Sequence, residues 1–163
     1  MVEIGLTTES RGKWRSHFVP ALGVSLLVPR SWQVEPTDGG LRCHRGRAVH
    51  GVDPVLTVEA GPLPDSLAAA DAIDARARAL GAALPAFEAV AACELWIDDR
   101  AAWWLDHRHD AADGTRMRAR VCEVQAGEAE VLRLSCACAD AAWASQDPWF
   151  EVVIRSVRFI PRP

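Results

Sequence analysis

The stretch Arg100–Val124, "RAAWWLDHRHDAADGTRMRARVCEV", concentrates the side chains able to do chemistry. His107 and His109 form an H-x-H pair, and Cys136 and Cys138 form a C-x-C pair further on. Four such donors suit zinc if they converge at about 2.0–2.3 Å from one ion. Arg116, Arg118 and Arg120 recur at every second position, and Trp104 precedes them. Arginines beside an exposed tryptophan make either a phosphate and base-stacking platform or a protein-binding hot spot. Cys43-His44 supplies a candidate nucleophile and base, and Asp98-Asp99 a candidate carboxylate pair.

Each option depends on which side chains share a face, because residues on a strand alternate sides. A three-residue loop Ala112-Asp113-Gly114, with Gly114 in the left-handed conformation, sets His109 opposite Met117, His107 opposite Ala119 and Leu105 opposite Val121. On the other side Asp110 then meets Arg116, Asp106 meets Arg120, and Arg108 meets Arg118. A two-residue turn at Ala126-Gly127 continues the pattern: Val121 opposite Leu132, Ala119 opposite Leu134, Met117 opposite Cys136, and Cys138 beside Thr115. This predicts one apolar face of Trp103, Leu105, Met117, Ala119, Val121, Leu132, Leu134, Cys136 and Cys138. It predicts an opposite charged face of Trp104, Asp106, Arg108, Arg116, Arg118, Arg120 and Arg133.

The register argues against most of the chemistry. The histidine and cysteine strands lie two inter-strand steps apart, about 9–10 Å, with Met117 between them, so no metal site is expected. Cys43 and His44 point to opposite sides of a strand. Asp98-Asp99 reads as a turn. Asp106 and Asp110 each face an arginine, which keeps them ionised rather than poised as acids. A net charge of −4 and the acidic neighbours of the arginines speak against nucleic acid. Neither a P-loop, a G-x-G-x-x-G nor a serine elbow occurs. Catalytic residues, cofactor and metal are therefore all expected to be none. Trp104, Asp106, Arg108, Arg116, Arg118 and Arg120 are the expected protein-contact face, unless a helix, such as the C-terminal one, covers its Trp104 end.

The elements that must carry this stretch are legible around it. At 163 residues, half of them apolar, the chain suits one domain with a real core. Residues 1–16 read as a flexible lead-in and 17–163 as the domain. Short strands are expected at "GVSLLVP", "RSWQVEP", "GGLRCHRG" and "PVLTVEAGP". Residues 65–84 read as a helix, with Asp65 or Ser66 as cap, an apolar stripe of Leu67, Ala70, Ile73, Ala77 and Leu80, and Pro85 as stop. Strands follow at Glu88–Ile97, Ala101–Asp110, Thr115–Val124 and Ala129–Ala139. A last helix is expected from Asp147 as N-cap and Pro148 at its first position, with Phe150, Val153, Ile154 and Val157 inward. The order is that of an α+β domain, an antiparallel meander with two main helices.

Five cysteines without a C-x-x-C pair, no apolar leader and no bilayer-length run point to a cytoplasmic protein without membrane insertion. Arginine makes up the basic charge apart from Lys13, and tyrosine and asparagine are absent; both fit codon bias in a GC-rich genome.

An opening "GVSLLVPRSW" before the first hairpin, a helix ending "LGAALPAF" before long antiparallel strands, and a close in "VIRSVRF" resemble the PsbP-like superfamily. That superfamily includes DcrB-like bacterial proteins, actinobacterial LpqN-type lipoproteins, a Ran-binding import factor and type VI secretion chaperones. The resemblance spans roughly residues 18–160. It implies an α/β/α sandwich, a non-enzymatic binding or adaptor role toward a protein partner, and possible kinship with secretion-associated chaperones. The chain lacks the lipobox of the lipoprotein members. The alternative class is a small-molecule binder or undetected enzyme, with a pocket between sheet and helix lined by His107 and His109.

Overall fold

The computed structural model describes residues 12–63 and 68–161. Ten strands and two α-helices are present among them. β1 (Trp14–Val19) and β2 (Val24–Pro29) form a hairpin, so the first strand begins inside the stretch read as a lead-in. β3 (Gln33–Thr37), β4 (Gly40–His44) and β5 (Val55–Pro62) follow. After α1 (Ala69–Ala83) come β6 (Glu88–Ile97), β7 (Arg100–Asp110), β8 (Arg116–Gln125) and β9 (Glu130–Ala139). A 3-10 turn (Asp140–Ala142) leads into α2 (Trp143–Arg155), and β10 (Arg158–Phe159) ends the series.

The main sheet has seven strands in the order β3-β4-β5-β9-β8-β7-β6, each antiparallel to its neighbour. A small sheet, β1-β2-β10, forms separately. Helix α2 packs on β2 and β9, while α1 packs on β6 and β7. The two helices therefore cover opposite faces of the main sheet, which is the expected α+β sandwich.

Local chemistry explains the boundaries. Helix α1 stops at Ala83 because Leu84 precedes Pro85, which pushes it into extended backbone (φ −111°, ψ 132°). The proposed caps Asp65 and Ser66, with Leu67, lie outside the described residues. Helix α2 starts four residues before the expected Asp147 cap and carries Pro148 inside it. The ring leaves the Ala144 carbonyl without its helical donor, and Ala144 is exposed, so water can satisfy it. The stripe Phe150, Val153, Ile154 and Val157 is fully buried, as its spacing predicts.

The hairpin β7–β8 has the register read from the sequence: Leu105 opposite Val121, Asp106 opposite Arg120, Arg108 opposite Arg118 and His109 opposite Met117. Gly114 takes φ +85° and Ala111 N–H donates to the Thr115 carbonyl, closing the three-residue loop. The expected β8–β9 register is corrected. The turn is longer than two residues, since Ala126 and Gly127 both donate to the Glu130 carbonyl and Gln125 faces Val131. Val121 meets Ser135 rather than Leu132, and Ala119 meets Ala137 rather than Leu134. Cys136 lies opposite Arg120, and Cys138 opposite Arg118. An offset of three is odd, so β9 is turned over: Leu132, Leu134, Cys136 and Cys138 belong to the face of Trp104 and Arg120.

Candidate functional site

The corrected register places the nominated arginines on the side that carries the main core. That core gathers Leu56, Val58, Trp104, Cys122, Leu132, Leu134, Cys136 and Cys138 against Phe150, Val153 and Ile154 of α2. Trp104, Asp106 and Arg120 are 9%, 4% and 4% exposed, so α2 covers them. Arg120 grips Asp106 with two bonds, Nε to Oδ1 at 2.6 Å and Nη2 to Oδ2 at 2.9 Å. Its Nη1 donates to Asp147 of α2 at 2.7 Å. The guanidinium also lies 4.1 Å from the Trp104 ring centroid and 5.2 Å from that of Trp143. Burial works against its charge, but the Asp106 hydrogen bonds and the two carboxylates outweigh burial and raise its pKa. Arg118 stacks on Trp143 at 4.9 Å and reaches Asp106 at 3.7 Å.

Two members of the nominated set reach solvent. Arg108 bonds Asp140 at 3.0 Å and pairs with Glu88 at 3.5 Å. Arg116 pairs with Asp110 and with Glu88, each at 3.1 Å, and its Nη1 donates to the Ala86 carbonyl. Arg108 and Arg116 have 30% and 35% of their side chains exposed, so they border one accessible rim at the end of β6, β7 and β8.

On the opposite face, α1 packs over Trp103, Leu105 and Val121 with Ala72, Ile73, Ala77 and Leu80. His107 and His109 lie here, ring centroids 5.3 Å apart, with Phe87 stacked on His107 at 5.3 Å. Their Nδ1 atoms are buried without a protein partner. Burial first, then the charges of His109 and Arg118, push His107 down to about 4. Burial and Arg116 lower His109 as well. Both rings are thus neutral near pH 7. Cys136 and Cys138 are on the other face of the sheet, so the four candidate ligands do not meet. Among the described residues no three of His, Cys, Asp and Glu gather as a metal cluster.

The thiols are placed for packing. Burial pushes Cys43 and Cys138 up to about 12 and raises Cys93, Cys122 and Cys136 too, the opposite of a thiolate nucleophile. His44 is held by Asp53 at 2.8 Å and Glu35 at 3.2 Å, away from Cys43. Asp98 and Asp99, at φ +50° and +59°, form the turn expected of them.

One buried carboxylate lies outside the residues singled out from the sequence. Glu123, 3% exposed, accepts two bonds from Arg76 of α1 at 2.9 and 3.2 Å and one from Arg133 at 3.5 Å. A cleft between sheet and α1 is walled by Pro62, Leu63, Arg76, Arg78, Glu123 and Arg133, rather than by His107 and His109. The signal was present: a two-residue β8–β9 turn opposes Glu123 to Glu130, whereas the observed register opposes it to Arg133.

Among the described residues no helix is long and apolar enough to cross a membrane. No family model matches the chain, and no curated protein does. Solved structures are similar in fold. LpqN, involved in cell envelope biogenesis of Mycobacterium tuberculosis, matches with TM-score 0.69 and 16% identity over 91% of each chain. The Ran-binding protein Mog1p of Saccharomyces cerevisiae matches with TM-score 0.67 and 10% identity over 90% of this chain and 95% of its own. Cyanobacterial PsbP (CyanoP) from Synechocystis sp. PCC 6803 matches with TM-score 0.63 and 16% identity over 90% and 92%. The antiparallel seven-stranded sheet between two helices, together with a fold similarity to these three proteins along nine-tenths of the chain, gives this chain the PsbP-like fold.

Proposed function

We propose that the chain is a non-enzymatic protein-binding or adaptor domain that works in the cytoplasm, with a chaperone role in secretion as the specific form to test. One observation carries this reading. The groups that could do chemistry are engaged in packing: Arg120 is locked between Asp106 and Asp147, and burial keeps the thiols protonated. The name of a structural neighbour, the Ran-binding protein Mog1p, supports protein binding as a use of this fold.

In this reading the partner contacts the rim of Arg108 and Arg116, with Glu88 and Asp110 between them. Trp104, Asp106, Arg118 and Arg120 hold that rim in place from beneath. Co-purification on the tagged chain should recover a stoichiometric partner. Arg108→Glu/Arg116→Glu should lose it while shifting Tm by only a few degrees, since ion pairs at the surface are screened by solvent and add little to stability. No partner, or undiminished capture by the double variant, overturns the proposal.

The cleft beside α1 favours a second reading, a binder of small charged molecules using Arg76, Arg78 and Arg133. A thermal shift with anionic metabolites that Arg133→Ala abolishes would support it in place of the first.

A further inference from the structure

The two edges of the main sheet are built differently. β3, at one edge, has five residues, places Pro36 in its run, and carries Glu35 paired to Arg42 and His44. Proline, charge and shortness are the usual defences of an edge strand. β6, at the other edge, has ten residues, EAVAACELWI, with no proline and no basic side chain. Ala89, Ala91, Ala92 and Glu94 are exposed, and Trp96 is 71% exposed. A bulge between Ala89 and Ala91 interrupts one end of the strand, leaving Ala91–Ile97 as a regular run.

The hairpin geometry says which backbone groups are free. Ile97 and Arg100 flank the two-residue turn at Asp98-Asp99. Such flanking residues exchange both hydrogen bonds, and the pattern alternates along the strand. Ile97, Leu95 and Cys93 therefore bond to β7, while Trp96, Glu94 and Ala92 turn their N–H and C=O groups outward.

We propose that β6 is a self-association edge: two copies of this chain pair antiparallel through Ala91–Leu95 and join their main sheets across a two-fold axis. A two-fold centre at Glu94 would oppose two like carboxylates. A centre at Cys93 sets Glu94 opposite Ala92 of the second copy, and Leu95 opposite Ala91. It carries the large Trp96 over Val90 of the second copy, at the bulge. Small residues thus receive large ones, and no like charges face each other. Specific interfaces begin at roughly 1,000 Å². Trp96, 71% exposed, is the largest apolar side chain this pairing would cover, so Trp96 should be decisive. The inference does not depend on the partner rim at Arg108 and Arg116.

Light scattering on the full chain at a series of concentrations tests it. The mass should rise toward twice 17.7 kDa. Ala92→Pro removes an outward N–H that β7 does not use, and Trp96→Lys charges an exposed position. Each variant should keep its far-UV spectrum and stay monomeric, with dissociation constants at least tenfold weaker. Because Cys93 meets its own copy, a short bis-maleimide should join two chains in the wild type and not in Cys93→Ser. The other cysteines are buried. A wild-type monomer at hundreds of micromolar overturns the proposal, as does a dimer that both variants retain. A monomer that instead takes up a foreign extended peptide at β6 also overturns it.

Discussion

Both faces of the main sheet bury an ion pair, yet they do so differently. On the α2 face Arg120 is saturated by Asp106 and Asp147, stacked on Trp104, and enclosed by the larger core. Ser156 adds a tie to the small sheet, accepting from Leu27 N–H at 2.8 Å and donating to the Val153 carbonyl at 2.7 Å. On the α1 face Glu123 is bonded by Arg76, whose side chain is 29% exposed, above a core of four buried residues. The same face holds two histidines whose Nδ1 atoms lack protein partners, and the α2 face likewise buries Arg118 Nε and Gln146 Oε1 without one. A buried charge is tolerable only where its partners are complete. Among the described residues, α2 thus packs into the larger core with its ion pair closed by two carboxylates, whereas α1 covers a smaller one.

The largest test of that difference is Asp106→Ala. It leaves Arg120 buried with an incomplete set of partners and should cost about 3–5 kcal/mol in urea unfolding. Arg76→Ala on the other face should cost less, about 1–2 kcal/mol, because Arg133 remains beside Glu123 and loss of the 29% exposed Arg76 side chain opens the cleft to solvent. Equal losses would erase the distinction. Next is packing: Phe150→Ala, fully buried under α2, should cost about 3–5 kcal/mol, and half-buried Ile73→Ala of α1 about half as much or less.

The third test is pH. His107 is depressed to about 4 when folded and returns to about 6.5 when unfolded. The unfolded chain therefore binds the proton more readily. The contribution is present in full above pH 6.5 and is lost as pH falls toward 4, by roughly 2–3 kcal/mol. His107→Phe should flatten that part of the stability curve, and an unchanged slope would show that the ring is not the cause. The smallest expected signal is local: amides of α1 should exchange hydrogen through an opening below the global unfolding free energy, while those of α2 should not.

Much of the fold was legible because several strands and turns announce themselves. Gly114 and Asp98-Asp99 fixed two hairpins, and Asp106 and Asp110 opposite arginines fixed the β7–β8 register. The β8–β9 register was less legible because both strands are covered on both faces. Val121 and Cys122, or Val131 and Leu132, are apolar neighbours on opposite sides, so alternation cannot choose between registers. The charges could choose, through Glu123 and Arg133. The start of α2 was misplaced because Asp147-Pro148 imitates a helix start, although Asp147 serves as a partner of Arg120. Three of the six nominated residues, Trp104, Asp106 and Arg120, lie under α2, the alternative the sequence left open: a row of arginines beside a tryptophan has one pattern whether it faces solvent or a helix.

The double variant Asp106→Leu/Arg120→Met tests most directly whether this cluster is scaffold rather than contact surface. Replacing a buried ion pair by apolar groups of similar volume is often neutral or stabilising. The expected result is a folded chain, within about 1 kcal/mol of the wild type or better, that captures the same partner with the same affinity through Arg108 and Arg116. A double variant that folds equally well yet loses the partner would contradict it.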